Sequence, residues 1–487
     1  MNILKRPMFY SALVCCIASA LSLLSVGVSY AFLTLALILL IFLVYRKNYK
    51  YIMVLLAVLL FAANLLLELT LIGVAKQNDD RTVEGEFLVI SEPVENEKYS
   101  TVTFMAIKDN QLPKNSKYLV FCDNYTDLKI GDVVKAKIKI SAINRYSKYR
   151  ISNYSNGIFS TANVKELDAT GESNAFYRAA GNVRKYVKKT ITKNFTGDSA
   201  GLLVALTTGE RSLLSDEFLH NVKTTGISHV IVVSGMHLSI IMAAVFWLVD
   251  RIFYNKYIRS VLSVAVVLIL SSVCGFTMSI IRAGLMFIIG ALAPIFERDN
   301  DSLSSLMTAI TVILVVSPFA VFNVSFQLSV MSTLAIVWLL PFYYEFLNKK
   351  FNITSRFIQT ILATFLCSTF AIITTLPVTI KVFSFTSIVA PITNLLITIP
   401  VTFVLVLSVL GIVLSFLPLG ELISYAVFWV GNLCSNVIVY IVNGIAKLPI
   451  TVAVLPKIAF WWSLLIVALI IGFMYFYNYK SKRKEVT

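Results

Sequence analysis

Long apolar runs separated by short polar connections make up most of the chain. A helix needs about 20 apolar residues to cross a hydrocarbon core of about 30 Å, and in lipid only helices or closed barrels satisfy every backbone group. The pattern therefore predicts a polytopic α-helical membrane protein with about 11–12 transmembrane helices, since the first run is long enough for two passes. The runs occupy residues 8–45, 51–75, 229–253, 257–275, 279–296, 303–317, 322–340, 357–376, 388–415, 421–447 and 458–477.

One polar segment of domain size, residues 81–164, alternates apolar and polar positions. In "GDVVKAKIKI" (131–140), Val134, Ala136, Ile138 and Ile140 alternate with lysines, which is typical of a half-buried strand. The stretches "RTVEGEFLVIS", "YSTVTFMAIK", "KYLVFC" and "GIFSTAN" are further strand candidates. Such short strands fit a small all-β Greek-key barrel such as an OB-fold, a frequent host for oligonucleotides, although other small β domains share the pattern.

The stretch "FYRAAGNVRKYVKKTITKNF" (176–195) is predicted to form an amphipathic helix with a basic face. Apolar residues recur at helical spacing on the opposite face, and the stretch contains no acidic residue. On the pattern alone, a helix lying on anionic lipid headgroups is the simpler interpretation, and a polyanion-binding ridge is the alternative. Both interpretations predict affinity that falls with salt. The basic face comprises Arg178, Arg184, Lys185, Lys188, Lys189 and Lys193.

The distribution of Lys and Arg predicts the orientation of the chain, whose net charge is +16. Short cytoplasmic loops are enriched in both residues. With the N-terminus inside and two passes in 8–45, the short outer loops keep only Lys381, Lys447 and Lys457. We therefore expect both termini to be cytoplasmic and the segment 76–228 to be extracytoplasmic. The inner side receives Lys5, Arg6, Arg46, Lys47, Lys50, Arg251, Lys256, Arg259, Arg298, Lys349, Lys350, Arg356, Lys480, Lys482, Arg483 and Lys484.

All histidines of the chain, His220, His229 and His237, lie close together in sequence, with Ser234 and Gly235 before the last. A serine beside a histidine suits a nucleophile and its base. However, the flanking "VVSGM" differs from the G-x-S-x-G elbow, and no orienting carboxylate can be assigned. On one continuous helix, residues eight apart are separated by about 12 Å and cannot share a metal ion. Packing around a flexible Ser-Gly point is the simpler interpretation, and we expect no catalytic residue, metal or cofactor.

Polar residues inside apolar runs indicate a permeation path better than the histidines do, because a polar side chain at membrane depth is costly unless it faces protein or water. Asn432, Asn436 and Asn443 share one face of a predicted helix, which fits either interhelical hydrogen bonds or a wet wall. Proline-containing segments at 375–383 and 389–401 fit either broken helices around a site or kinks. Other such polar residues are Asn64, Glu68, Arg282, Asn323, Gln327 and Asn394.

Three ordered motifs carry a resemblance to a known family. The stretch "TGERSLLSDEFLHNVKTTGISHVIVVSGMHLSIIM" (208–242) resembles the signature of the ComEC competence family of DNA-uptake channel proteins, which runs from a Gly-Glu/Asp-Arg turn through Thr-Gly-x-x-His to Ser-Gly-x-His. "IIRAGLM" (280–286) with "SPFAVFNVSFQLSV" (317–330), and "LPVTIKVFSFTSIVAPITNLLITIP" (376–400), also agree with the family. The resemblance assigns to the channel motif Gly209, Arg211, His229, Ser234, Gly235, His237, Arg282, Gln327, Pro377, Pro391 and Asn394.

The resemblance implies a channel in the cell membrane that passes one strand of incoming DNA. It also implies an outer OB-like domain in contact with DNA. The implied partners are an extracytoplasmic DNA receptor, a cytoplasmic ATP-driven translocase and membrane lipids. The predicted parts are N-terminal transmembrane helices in 1–75, the OB-like domain in 76–175, and the basic helix with a connecting segment in 176–228. A competence-type channel domain with a short basic cytoplasmic tail follows in 229–487.

One departure from the family pattern concerns a further domain. Many members continue into a metallo-β-lactamase-like domain with an H-x-H-x-D-H zinc motif, and three histidines in all cannot form that site. We therefore expect a short form, with strand degradation by a nuclease in trans. Two other functions stay open at the level of sequence. One is an ion-coupled exporter of a small or lipid-linked anion with Arg282 or Lys381 as charge partner, and the other is a membrane-embedded hydrolase that uses Ser234 and His237.

Overall fold

The computed structural model describes residues 7–22, 52–91, 93–95, 99–108, 112–122, 128–143, 149–231, 233–252, 255–297, 299, 301–417, 420–449, 451–456 and 458–486. The second predicted pass of the run 8–45 lies outside these residues, as do Lys5, Arg6, Arg46, Lys47 and Lys50. The chain divides into two compact units. The first comprises Asn2–Lys185 and Met307–Phe326, and the second comprises Tyr186–Leu306 and Gln327–Thr487.

A small β barrel is the main feature of the first unit. It follows two apolar helices, α1 (Pro7–Ser22) and α2 (Ile52–Gln77). The strands pair in the order β1-β5-β6-β4-β3, and β1 also pairs with β3, which closes the barrel. The pair β4–β6 is parallel and the other pairs of the barrel are antiparallel. The strands are β1 (Thr82–Val89), β2 (Val94–Glu95), β3 (Ser100–Lys108), β4 (Lys117–Cys122), β5 (Asp132–Ala142) and β6 (Ile158–Ser173).

The alternation in β5 produces the two faces of the barrel wall. Val134, Ala136, Ile138 and Ile140 are buried in the core, where Phe87 and Phe104 stack with ring centroids 5.9 Å apart. The intervening lysines point outward and form ion pairs with acidic residues of the same unit. These pairs are Lys135–Glu84 at 3.3 Å, Lys137–Glu166 at 3.8 Å and Lys139–Asp80 at 2.5 Å. The predicted OB-like all-β domain is confirmed.

The chain returns to the first unit at Met307, within α11 (Ser302–Val316), which is followed by a 3₁₀ turn at Pro318–Phe322. Asn64 of α2 donates to the carbonyl oxygens of Val315 and Val316 at 2.9 and 2.6 Å, which caps α11. Phe319 packs against the ring of Tyr154, next to the short helix α3 (Arg150–Ser155) of the barrel domain. These hydrogen bonds and the ring contact hold the 3₁₀ turn against α2 and the barrel domain.

The second unit is helical. It begins within the basic helix α4 (Ala175–Thr192), because the boundary between the units falls at Lys185. Its other helices are α5 (Gly197–Thr208), α6 (Asp216–Thr224), α7 (Ser228–Ile231), α8 (Gly235–Ile252), α9 (Lys256–Val273), α10 (Met278–Leu292), α12 (Val324–Leu334), α13 (Leu340–Phe351), α14 (Arg356–Phe383), α15 (Ala390–Leu414), α16 (Gly420–Ala446) and α17 (Ala459–Val486). A π-helical turn at Ala335–Leu339 joins α12 to α13.

The antiparallel helices α15 and α16 form the centre of this unit. Their core also contains Val187 and Ile191 from α4, Ile241 from α8, and most of α5. At one end of the pair, a short two-stranded sheet of β7 (Phe385–Ser387) and β8 (Val452–Val454) joins the segment before α15 to the segment after α16. At the other end, α15 ends at Leu414 and a turn begins at Ser415.

The apolar pattern is borne out by the helices. Six of them in the described residues are long and apolar enough to cross a membrane: Leu56–Gln77, Val324–Phe351, Arg356–Phe383, Ala390–Leu414, Gly420–Ala446 and Ala459–Tyr477. Shorter apolar helices accompany them at Met8–Ala20, Gly235–Trp247, Tyr257–Val273, Met278–Leu292 and Ser302–Val316. The predicted fold class, a polytopic α-helical membrane protein with an OB-like domain, is confirmed.

The prolines do not interrupt the long helices. Pro377 lies inside α14 and Pro400 inside α15, and both helices continue through them. Pro391 lies in the first turn of α15, where its missing N–H group costs nothing. The helices are therefore not broken at these prolines, and the interruption lies between α14 and α15, at β7.

Candidate functional site

The basic helix α4 is anchored at its start by a side-chain cap. Asn174 Oδ1 accepts hydrogen bonds from the backbone N–H groups of Phe176 and Tyr177, at 3.1 and 3.4 Å. This arrangement satisfies donors that a helix N-terminus otherwise leaves open. Arg178, the first basic residue of the face, is exposed and donates to Ser173 Oγ at 2.7 Å.

The apolar face of α4 differs between its two halves. Val187 and Ile191 are fully buried in the helical core, whereas Phe176 and Val183 are 50% and 38% exposed. Tyr186 lies between the exposed Val183 and the buried Val187, and its ring stacks on Phe416 with centroids 4.9 Å apart. The C-terminal half is therefore docked on the helical unit, while the N-terminal half presents apolar and basic side chains outward.

The six basic residues predicted to bind a polyanion are not equivalent. The ammonium group of Lys188 pairs with Glu210, and that of Lys193 lies 3.3 Å from Glu421. Lys185 and Lys189 are exposed, and neither forms an ion pair with any residue that the structure describes. Arg184 is half-buried. The sequence stretch contains no acidic residue, so these two carboxylates, both distant along the chain, were missed.

The barrel presents an exposed aromatic pair that the sequence did not single out. Tyr99, which is 44% exposed, packs edge to face on the half-buried Phe121 with ring centroids 5.4 Å apart. Phe121 lies on β4 opposite Thr101 of β3. These are the second and third long strands, whose face binds oligonucleotides in OB-folds. The sequence signal available for this pair was Tyr99, an aromatic residue directly before a strand in an otherwise polar segment.

The motif "SGMH" (234–237) begins a helix in which the histidine side chain bonds back to the residue before the helix. Ser234 precedes α8, and its backbone N–H donates to His237 Nδ1 at 3.2 Å, while its Oγ lies 3.1 Å from the same nitrogen. A residue three positions into a helix that accepts from the capping N–H supplies one of the two hydrogen bonds of a capping box. The ring also has an electrostatic contact with the carbonyl of Val230 in α7. His237 thus links the end of α7 to the start of α8.

This geometry does not prepare Ser234 as a nucleophile. An imidazole nitrogen has one lone pair, and the backbone N–H of Ser234 already points at it. The other nitrogen, Nε2, is buried and has no hydrogen-bond partner among the described residues, so no carboxylate orients the ring there. Within the described part of the chain, no three His, Cys, Asp or Glu side chains lie close enough to hold a metal ion.

His229 and His220 do not join His237 in one cluster of hydrogen bonds. His229 lies on α7, is exposed, and interacts with the backbone of Gly226. His220 is exposed on α6. The three histidines lie on three separate helices, α6, α7 and α8, so their closeness in sequence does not produce one hydrogen-bonded cluster.

Arg282 lies beside the helix break. It is 5% exposed, and a Cβ atom placed on Gly235 would lie 3.0 Å from its Nη2. Its Nε donates to Ser329 Oγ at 2.9 Å, and Ser329 Oγ lies 3.0 Å from Ser279 Oγ. No acidic partner forms a salt bridge with Arg282 among the described residues. Ser234, Gly235, His237 and Arg282 are therefore brought together, with Ser279 and Ser329 as additional members.

Two motif glycines occupy places that other residues fit poorly. Gly209 ends α5 in the left-handed conformation at φ +81°. Gly226 has φ +77°, and a Cβ atom there would lie 2.6 Å from the side chains of both Ala390 and Ser387. At Gly226 the segment before α7 packs directly against β7 and the start of α15. No side chain fits there, so this position suits only glycine.

The remaining motif residues are placed elsewhere. Asn394 of α15 donates to Ser368 Oγ of α14 at 2.8 Å, and Pro377 is buried in α14. Arg211 is exposed in the loop after α5, and Gln327 is half-buried on α12. Among the asparagines of α16, Asn443 bonds to Asn221 at 3.0 Å, whereas Asn432 Oδ1 is buried without a hydrogen-bond partner in the described residues and Asn436 is exposed. Of these three, Asn443 is the one with a side-chain hydrogen bond to another helix among the described residues.

Comparison with known proteins concerns the second unit above all. A family model described as "Competence protein" matches residues 206–480. ComE operon protein 3 of Bacillus subtilis (strain 168) is 25% identical over 166 residues, which cover 34% of this chain and 21% of that protein. The matched stretch thus spans about one fifth of the relative's length. No solved structure matches the chain.

Proposed function

Because the chain belongs to the competence protein family, we propose that it is a membrane channel for the uptake of single-stranded DNA during natural transformation. The match of the family to residues 206–480 carries the proposal, since this range contains the helix break, Arg282 and the α14–α15 segment. The OB-like barrel supports it, because such barrels often bind oligonucleotides. The exposed lysines of α4 support it as well.

The proposed DNA contacts are of two kinds. Lys185, Lys189 and Arg178 are exposed cations on one helix face, and they suit phosphate groups, which are bound without regard to sequence. Tyr99 and Phe121 supply ring faces and edges on the barrel, and bases stack on such side chains in proteins that bind single strands. A channel that accepts any incoming DNA needs both properties and no base readout.

The two halves of α4 reconcile the lipid and DNA interpretations. In the N-terminal half, Phe176 and Val183 expose apolar surface beside Arg178, an arrangement suited to the boundary between headgroups and acyl chains. In the C-terminal half the apolar residues are buried in protein. We assign lipid contact to the first half, and DNA contact to the basic face along the helix.

The proposal includes partners that the family resemblance implies. They are an extracytoplasmic DNA receptor, a cytoplasmic ATP-driven translocase and a nuclease that acts in trans on the strand not taken up. The chain itself contains no G-x-x-x-x-G-K-[ST] loop. The role proposed for it is passage of the strand, with no catalytic residue of its own.

Reversal of charge on α4 tests the DNA contacts. In purified protein, Lys185→Glu with Lys189→Glu is expected to weaken binding of a labelled single-stranded oligonucleotide. The logarithmic salt dependence of the affinity should flatten by about 1.4, since each phosphate contact on a single strand contributes about 0.7. Fluorescence anisotropy over a range of salt concentrations measures both quantities.

A matched control carries the same change of charge elsewhere. Lys350 and Arg356 are exposed at the connection between α13 and α14. The double variant Lys350→Glu with Arg356→Glu should leave the salt dependence close to that of the unaltered protein. Equal effects of the two double variants would show that binding follows net charge alone, and the assignment of DNA contact to α4 would be wrong.

A further inference from the structure

The helices α15 and α16 provide a scale for depth in the membrane. Both are long apolar spans, Ala390–Leu414 and Gly420–Ala446. One end of the pair, here called the turn end, contains Ser415, Phe416 and Glu421. The other, here called the hairpin end, contains β7, β8 and the start of α15. Because the two helices cross the membrane, these ends lie at opposite faces.

The last turns of α4 lie at the turn end. Tyr186 Oη is 3.0 Å from Ser415 Oγ, and its ring stacks on Phe416. Lys193 Nζ lies 3.3 Å from Glu421. Phe195, just after the helix, stacks on Tyr425 with ring centroids 5.8 Å apart. Residues 186–195 are therefore located near one membrane face.

Residues a short way further along the chain lie at the hairpin end. Asn221 of α6 donates to Asn443 at 3.0 Å, near the C-terminus of α16. Gly226 touches Ser387 of β7 and Ala390 of α15. Between Lys193 and Asn221, the chain thus passes from the turn end of the α15–α16 pair to its hairpin end.

This passage is not made by one long helix. α5 has 12 residues and α6 has 9, so neither reaches across a core of about 30 Å. Leu203 of α5 lies against Gly431, which is about 16 Å into α16. The loop between α5 and α6 folds back along α5 toward the turn end, because Asp198 at the start of α5 accepts from Ser215 N and Oγ at 2.7 and 2.9 Å, and Gly201 packs on Leu213.

The loop carries polar and charged groups on the side of the turn end, where Lys188 Nζ lies 3.4 Å from Ser212 Oγ. Glu210 pairs with Lys188 and accepts from Ser212 Oγ at 2.6 Å. Arg211 and Ser212 are exposed. Irregular backbone at membrane depth is tolerated only where it is buried in protein or faces water, and charged side chains there face a cavity or a partner. Exposed Arg211 and Ser212 therefore require water beside them.

We propose that residues 186–226 cross the membrane as a broken span, α5–loop–α6, whose loop opens to a water-filled path near the turn end with Arg211, Ser212 and the Lys188–Glu210 pair. The crossing goes beyond the proposed channel function and does not depend on what passes. It also divides the segment 76–228, which charge distribution places as a whole on one face. The further assignment of this wall to the path of DNA phosphates, through Lys188 and Arg211, rests on the proposed function.

Single cysteines test the crossing. In full-length protein with the native cysteines replaced, Asn194→Cys and Lys223→Cys occupy exposed positions on either side of the broken span. Leu417→Cys marks the turn end and Val454→Cys, 81% exposed, the hairpin end. With a membrane-impermeant maleimide applied to intact cells and to inside-out vesicles, Asn194→Cys is expected to label from the same face as Leu417→Cys. Lys223→Cys is expected to label from the face of Val454→Cys.

The water-facing loop is tested against a position of α16 that faces lipid. Ser212→Cys should react with the impermeant reagent, whereas Leu433→Cys, on a 46% exposed position of α16 next to Gly431, should not. Labelling is scored only on protein that is monodisperse after solubilisation. If Asn194→Cys or Lys223→Cys fails this criterion, Lys193→Cys and Thr224→Cys serve as the second pair for the crossing.

The outcomes separate the parts of the proposal. Labelling of Asn194→Cys and Lys223→Cys from one and the same face would overturn the crossing. Equal inertness of Ser212→Cys and Leu433→Cys would overturn the water-filled wall. Slower labelling of Ser212→Cys in the presence of a single-stranded oligonucleotide supports the assignment to the DNA path. Unchanged labelling overturns that assignment alone, since the crossing is read without DNA.

Discussion

His237 shows how a residue that suggests chemistry can have a structural role. Its Nδ1 faces the backbone N–H of Ser234, and its ring contacts the carbonyl of Val230. It therefore holds together the two helix ends on either side of a break. The sequence indicated a flexible point at the Ser-Gly pair, but the cap depends on the rotamer of one side chain and could not be read from spacing.

Two substitutions of His237 distinguish a capping residue from a catalytic one. Gln is favoured at this position of a capping box, so His237→Gln should retain stability, whereas His237→Ala should lose about 1 kcal/mol. Thermal unfolding of the detergent-solubilised variants measures the difference. A base for Ser234 would be lost in both variants, so equal loss of function with equal stability would contradict the capping role.

At the scale of elements, the sequence predicted that α4 is a helix and that the barrel domain is all-β. It did not predict which of their charged side chains are paired. The 3.6-residue period identified α4 and the two-residue period identified β5, because each is set by local geometry. The pairing of Lys188 with Glu210 and of Lys193 with Glu421 depends on how the chain folds back. The lysines of β5 look like a basic face in sequence, but each pairs with an acidic neighbour.

The aromatic pair on the barrel supplies the element-scale prediction. Tyr99→Ala and Phe121→Ala should each weaken binding of a single-stranded oligonucleotide by about 1–3 kcal/mol if a base stacks there. The salt dependence should stay unchanged, because no phosphate contact is removed. Tyr149→Ala is the matched control, since Tyr149 is also exposed, at 68%. An affinity that is unaltered in both Tyr99→Ala and Phe121→Ala would remove the barrel face from the DNA path.

At the scale of the whole molecule, sequence predicted the class of protein better than its path through the membrane. Long apolar runs identify spans because their length alone decides whether they cross. The broken span proposed for residues 186–226 has no such run, since α5 and α6 are short and α6 carries Asp216, Glu217 and Lys223. Conversely, Pro377 and Pro400 marked possible breaks where the helices in fact continue.

The central claim is that this protein lets one strand of DNA pass the membrane. Deletion of its gene, followed by separate measurement of DNA bound at the cell surface and DNA in the cytoplasm, tests that claim most directly. The account predicts that entry is lost while surface binding by the receptor is largely retained, and that the unaltered gene restores entry. Entry at the normal level in the deletion strain would contradict it.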